Sequence, residues 1–433
     1  MSTTLEPTMR SFFAASKTFK DGTDSPRSFL ERCIETIEAH EPSVGAFVAT
    51  NLQGARAAAD AATERWRAGA TLSLIDGMPL GIKDIMETAD MGTEQGSPLF
   101  VGWRGGRDAA AVAALREAGA VILGKTVTTE FAASHPSGTR NPWDPERTPG
   151  GSSSGSAAAV ASGMVPAALG TQVVGSIVRP ASFCGCFGFK PSVGGINRGG
   201  SFDELSQSCT GVLGASLAEC WCVTRAISSS AGGDPGYPGV QGPMELPPAA
   251  MPKRIAKLEL AGWERASNEA KEQLDIALAR LADAGIEILG RGSDSKIVSV
   301  ESDLSDAMAI AGAITAWEGR WPFNTYSRDM DRLKLSESAQ NRLARAESMT
   351  QEDYGALITQ RERIRAIYAT LQERFDLCIT LSATGAAPMG LGSTGDPVFA
   401  VPASVLGVPS ISLPVLRAEG LATRSSVDWL SRQ

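Results

Sequence analysis

The sequence predicts an α/β fold. Short apolar runs of strand character alternate with helix-period segments along most of the 433 residues. Apolar residues make up 43% and charged residues 20% of the chain, a composition that buries a large core and excludes wholesale disorder, collagen and coiled coil. No segment reaches the roughly 20 uninterrupted apolar residues of a membrane span.

The elements follow in order. Residues 26–40 read as an amphipathic helix, with Pro26 in its first turn and Phe29, Cys33, Ile34 and Ile37 on one face. Residues 52–69 are Ala-rich and helical. Residues 78–85 read as a buried strand, 107–118 as a helix and 120–123 as a strand. A helix over 154–163 and strands over 165–169 and 186–189 come next. Residues 231–250 hold five Gly and five Pro and read as a long surface connection. Beyond it lie a strand over 253–258, a helix over 268–284, a strand over 286–289, a mainly helical stretch to about 375, and strands over 377–381 and 409–413. There are no tandem repeats.

Charge and rare residues narrow the function. Lys+Arg 40 against Asp+Glu 48 gives a net charge of −8 and a pI near 5.1, which argues against a nucleic-acid partner and against a polybasic membrane surface. The N-terminal residues carry no apolar core of signal-peptide type, so a cytoplasmic location is expected. The seven cysteines include two C-x-C pairs, Cys184/Cys186 and Cys220/Cys222, rather than the C-x-x-C of zinc sites; they read as small buried hydrophobes in a reducing compartment. With only His40 and His135, a His-rich metal site is excluded and a hydrolytic base must come from another residue type. No cofactor is expected.

Two motif matches fail on context. Gly119 to Thr126 fits the G-x-x-x-x-G-K-[ST] phosphate loop, but its four intervening residues, Ala, Val, Ile and Leu, read as strand rather than loop. Gly151 to Gly155 fits the G-x-S-x-G nucleophile elbow, whose histidine follows the serine in sequence; here both histidines precede it.

One constellation survives. Between Gly150 and Gly214 there are 14 glycines in 65 residues, about three times the usual ~7%, interleaved with apolar strands. Such glycines let backbone approach backbone or ligand closely. Ser152 and Ser176 each sit in a Gly-rich turn, 24 positions apart, with about one helix out and one strand back between them. A ten-residue helix spans roughly 15 Å and a five- or six-residue strand roughly 17–20 Å, so the return leg can bring the two serines together.

These residues resemble the amidase signature family. The match includes Gly81-Ile-Lys83-Asp84, Gly124-Lys-Thr, Glu130-Phe131, Asn141-Pro-Trp, the Gly/Ser block from Gly150 through Ser176, and Gly188-Phe-Lys-Pro191. The resemblance runs from about residue 25 to about 416 and implies one large α/β domain, a central mixed β-sheet covered by helices on both faces. The motif-bearing core would be about 70–230 and 376–416, with a variable substrate region over about 231–375. It further implies a Ser–cis-Ser–Lys triad: Ser176 as nucleophile, Ser152 as bridge and Lys83 as base. Serine needs an activating base, and lysine, with a free pKa near 10.4, must be held neutral by burial to serve as one. Met78, Leu80, Ile82 and Ile85 offer the apolar setting. The backbone N–H groups of Val173, Val174, Gly175 and Ser176 would form the oxyanion hole.

The expected activity is hydrolysis of a carboxylic amide through an acyl-enzyme on Ser176. The substrate is then a small-molecule amide, and a homodimer stays open as the assembly. The alternatives are a carbamate, anilide or urea-type hydrolase, a glutamine amidotransferase A-type subunit that needs a partner protein, and an impaired, non-catalytic remnant. Val174 and the altered C-terminal tail motivate the last, and three positions of the motif depart from the family pattern, as in a subgroup with a different acyl pocket. Gln172 stands where a carboxylate is usual, Val174 stands where a glycine is usual, and Arg179 sits one place late, directly before Pro180. A β-branched residue at positive φ would be a genuine outlier, so the loop at Val174 is expected to be either at negative φ or strained. Residues 421–433 also depart from the Gly-Leu-Pro-Leu-Gly-type strand of the family and read as the product of a frame change near Gly420, which leaves the sheet one strand short.

Overall fold

The computed structural model describes residues 7–417 and, by backbone path, 424–431. Among these residues one mixed sheet has eleven strands: β1 Phe47–Thr50, β2 Pro79–Lys83, β3 Val121–Thr126, β4 Ala167–Gln172, β5 Phe187–Lys190, β6 Cys209–Gly214, β7 Arg254–Lys257, β8 Glu287–Leu289, β9 Leu377–Leu381, β10 Ser410–Arg417 and β11 Arg424–Ser431. Their spatial order is β1-β3-β2-β4-β6-β5-β10-β11-β9-β7-β8. Strand β2 runs parallel to both β3 and β4; β9 and β8 run parallel to β7; the remaining neighbours are antiparallel. The described residues therefore form a single α/β domain, of the class the alternating elements predict and with the one mixed sheet the resemblance implies.

Both faces of the sheet are covered. Along the central strands consecutive side chains enter opposite cores, as the period of two requires. Leu80, Ile82, Ile122, Leu169 and Val212 pack in a cluster with Val112 and Leu115 of the helix Ala110–Glu117 and Val223 and Ile227 of Leu217–Ser230. Val121, Leu123, Ala168 and Leu213 face the other way, onto Leu30 and Ile34 of Pro26–Val44, Ala55 and Ala59 of Leu52–Arg67, and the small apolar residues of Ser154–Ala161. A third cluster carries β7 and β9 and joins Leu274, Ile310, Ile314, Ile364 and Phe399.

Most boundaries fall within a few residues of those the sequence predicts. The helix expected over 26–40 extends to Val44, past Pro42, and stops where Gly45 turns left-handed at φ 63°. The phosphate-loop look-alike is indeed strand: Gly124, Lys125 and Thr126 lie in β3. All seven cysteines are free and buried.

The tail expectation needs correction. The place beside β10 is filled: β11 pairs antiparallel with β10 on one side (Ile411↔Trp429) and with β9 on the other (Ile379↔Trp429). The sheet is thus not one strand short there. The junction over residues 418–423 lies outside the described residues, as do 432 and 433.

Candidate active site

Strands β2 and β4 run parallel side by side, so the segments leaving their C-terminal ends share one edge of the sheet. Ligands of open α/β sheets bind at such carboxyl ends. Lys83 is the last residue of β2; the loop holding Ser176 follows Gln172, the last residue of β4.

Lys83 has no solvent exposure. Its Nζ lies 2.7 Å from Ser152 Oγ and 2.8 Å from Thr171 Oγ1. Met78, Leu80, Ile82 and Ile85 are fully buried around this strand, the setting the sequence suggests. Burial pushes the amine down to about 7, against the pull of the Asp203 carboxylate, which raises it. That shift is a bias of roughly 5 kcal/mol toward the neutral amine, so desolvation outweighs the nearby charge. The adjacent Asp84 is not its partner. Asp84 pairs instead with Lys125 at 2.8 Å, both side chains buried, and Lys125 Nζ also donates to Gly92 O and Thr93 Oγ1.

Ser152 lies in the turn before the helix Ser154–Ala161, behind a cis Gly151–Ser152 peptide bond. Its carbonyl accepts from Thr129 N at 3.2 Å, and Ser153 N donates to Ser176 O at 3.4 Å, which ties the two serine turns together. The helix out and strand back predicted between them are Ser154–Ala161 and β4. Gly155 shows why this segment is glycine-rich: a Cβ there would collide with Ala46 O and Val127 N, the backbone onto which the helix start is pressed.

The family departures acquire a physical account. Gln172 Oε1 accepts from Ile177 N at 2.9 Å and Val178 N at 3.0 Å, and its Nε2 donates to Ser404 Oγ at 3.2 Å. A neutral amide thus tethers the loop from the side beyond Ser176, and the amides of Val173 to Ser176 need not serve as its anchor. Val174 is not among the described non-glycine residues at positive φ, which are Gln95, Phe131 and Ala132; its side chain packs against the third core cluster. Arg179 is 4% exposed and donates from Nη2 to Gly151 O at 2.7 Å and to Thr394 Oγ1 at 3.1 Å, bracing the Ser152 turn. Burial lowers its pKa to about 10, which leaves it charged at neutral pH.

Ser176, 5% exposed, opens on a cleft of about 590 Å³. Phe131, Val173, Val174 and Arg179 line it on the motif side, and Phe323, Tyr326, Arg342 and Arg345 line it across the way. Most of the far wall thus comes from within 231–375, where sequence reasoning names no residue. Sequence reasoning likewise misses Thr171 and Asp203. Thr171 has a signal, since it precedes Gln172 in the motif itself; Asp203 has none. The motif residues away from the cleft are structural. Asn141 Nδ2 donates to Thr148 O and Phe183 O, and Trp143 Nε1 donates to Cys184 O, holding the turn that leads to Gly150. Glu130 accepts from Ser97 Oγ and Ser336 N.

Comparison with known proteins agrees with this layout. The chain is 41% identical over 229 residues to the A-type subunit of glutamyl-tRNA(Gln) amidotransferase from Chloroflexus aggregans; that stretch covers 50% of this chain and 45% of the relative, so the likeness spans less than half of the relative's length. Among solved structures, a chain from a vestigial protein complex that reveals the evolutionary origins of an s-triazine catabolic enzyme superposes with a TM-score of 0.84 at 26% identity, covering 98% of this chain and 94% of that one. A crystal structure described as an amidase gives 0.82 at 26% identity, over 98% and 95%. The family model for amidases (Amidase) matches residues 28–422. Since the match takes in the β2 end, both serine turns and most of the sheet, the chain belongs to the amidase family.

Proposed function

We propose that the chain hydrolyses a carboxylic amide through an acyl-enzyme on Ser176, with Lys83 as base acting through Ser152. The observation that carries the reading is a buried lysine amine, held near a pKa of 7, lying 2.7 Å from the Ser152 hydroxyl. At that pKa a large fraction of the amine is neutral at physiological pH and offers a lone pair.

The steps balance with this chain's own groups. Ser176 Oγ attacks the carbonyl carbon while its proton passes to Ser152 Oγ, and the Ser152 proton passes to Lys83 Nζ. The oxyanion meets the N–H groups of Val173, Val174, Gly175 and Ser176, donors of a kind typically worth a few kcal/mol. The ammonium of Lys83 then returns a proton through Ser152 to the leaving amine as the C–N bond breaks. Water enters by the same relay in reverse and releases the acid.

A second reading is supported by the likeness to the glutamyl-tRNA(Gln) amidotransferase of Chloroflexus aggregans: release of ammonia from glutamine as part of a complex. A carbamate, anilide or urea-type substrate would use the same acyl chemistry. A cytoplasmic location belongs to the proposal; no described helix is long and apolar enough to cross a membrane. The test is a panel of amides, anilides, carbamates and esters given to the purified chain and to Ser176→Ala. Hydrolysis of simple amides by the chain alone, absent in Ser176→Ala, is the expected result. Turnover that survives Ser176→Ala would overturn the assignment, and activity only with glutamine and an added partner would favour the second reading.

A further inference from the structure

Three described residues other than glycine hold a positive φ, Gln95 (57°), Phe131 (50°) and Ala132 (54°), and all three line the cleft in front of Ser176. Left-handed backbone is unfavourable for a residue with a side chain and persists where the surroundings impose it, often at functional sites. Gln95 carries a second penalty. Its side chain is buried, and among the described residues its Nε2 has no hydrogen-bond partner. A buried N–H without an acceptor loses the water it bonded in the unfolded chain and gains nothing in return. Glycine would make this turn without strain, and leucine would fill the space without an unmet donor. Glutamine serves stability less well on both counts.

The residue is held firmly. Gln95 N donates to Asp84 O at 3.1 Å, and Gln95 O accepts from Phe131 N at 2.8 Å. Asp84 follows Lys83 and is itself anchored by Lys125. The next residue, Gly96, has φ 63°, and a Cβ there would collide with Thr128 O. Gln95 is thus fixed one hydrogen bond away from the segment that carries the proposed base. Aromatic rings surround its neighbour: Phe131 stacks on Tyr326 at 5.3 Å and meets Phe323 edge-on at 5.1 Å. In that setting an uncharged amide donor suits an uncharged acceptor, since an anion would give up far more hydration than one N–H returns.

We infer that Gln95 is a specificity residue of the reaction proposed above: its Nε2 donates to a neutral oxygen, a second carbonyl or an ether, that the substrate carries besides the scissile carbonyl. The inference rests on the hydrolytic reading for its reaction but not for its binding. An analogue with a carbon group in place of that oxygen fits the same cleft and leaves the donor unmet, which is how a hydrogen-bonding site rejects it.

Calorimetry on Ser176→Ala reads binding without turnover. The probes are pairs that differ at that one oxygen: 3-methoxypropanamide with pentanamide, 4-oxopentanamide with 4-methylpentanamide, 4-acetylbenzamide with 4-isopropylbenzamide, and N-(2-methoxyethyl)acetamide with N-butylacetamide, the last placing it on the leaving amine. At least one oxygen-bearing member is expected to bind about tenfold tighter than its partner. Adding Gln95→Leu or Gln95→Met to Ser176→Ala should bring that ratio close to one. In the otherwise wild-type chain the same two substitutions should keep the thermal midpoint or raise it, because they remove an unmet donor. The inference is overturned if no pair shows the preference, if the preference survives both substitutions, or if both members of every pair weaken equally. A midpoint that falls in both variants would make Gln95 a structural residue and overturn it as well. So would succinamate outbinding 4-oxopentanamide by a margin that Gln95→Leu abolishes, since an anion would then be the preferred acceptor. The hydrolytic reading fails separately: oxygen-bearing amides that bind in this way but are not cleaved by the wild-type chain would sink the reaction and leave the Gln95 contact standing.

Discussion

Lys83 can take a proton only when its amine is neutral, and burial is what makes that state accessible. The sign of the pH dependence follows. In the proposed relay the amine, charged below about 7, takes no proton from Ser152 there, so kcat/KM should fall on the acid side and level off above that pH. Lys83→Met should lower acylation by several orders of magnitude and remove this acid limb, because neither histidine lines the cleft to substitute. A pH–rate profile unchanged in Lys83→Met would take lysine out of the mechanism. Gln172→Leu removes the acceptor for two buried amides, at a cost of about 1–3 kcal/mol. It should lower the thermal midpoint and kcat/KM together, and a loss of neither would show that the loop is held by other means. The proposed triad, Lys83, Ser152 and Ser176, can be picked out of the sequence because each residue sits inside a contiguous motif. Their immediate helpers are less so: Thr171 and Gln172 act through side-chain geometry that a motif does not state, and Asp203 reaches the site from a turn with no signature.

At the scale of elements, the strands that carry Lys83 and Gln172 are readable as uninterrupted apolar runs, since a strand with both faces covered has no polar side. The elements that escape sequence reading have identifiable reasons. β1 is four residues long, β6 contains Gly211 and Gly214, and the helix Val178–Cys184 contains Pro180 at its third position and reads as a turn. β11 goes against expectation because residues 421–433 are too polar to read as a buried strand, yet its backbone closes the ladder between β10 and β9. Ending the chain after Arg417 should therefore leave two unpaired edges, lower the thermal midpoint and raise aggregation. Val427→Pro, which removes a backbone donor from a central strand, should cost roughly 1–3 kcal/mol in the same direction. Equal midpoints and equal soluble fractions for the shortened and full chains would mean that β11 contributes nothing to the sheet.

For the whole molecule, the alternation of elements is enough to give an α/β class, and the resemblance supplies the mixed sheet covered on both faces. The cleft is not legible. One wall comes from motif residues near 131 and 173–179 and the other from 308–345, brought together by contacts across more than a hundred positions that leave no local pattern. Substrate choice should therefore lie with the far wall, together with Gln95, and chemistry with the near one, which holds Ser176. The most direct test of the central claim is to treat the chain with a serine-directed fluorophosphonate and locate the adduct by peptide mass mapping. A single adduct on Ser176, formed much more slowly in Lys83→Met and absent in Ser176→Ala, is the predicted result. An adduct on Ser152 or elsewhere, or one that persists in Ser176→Ala, would contradict it.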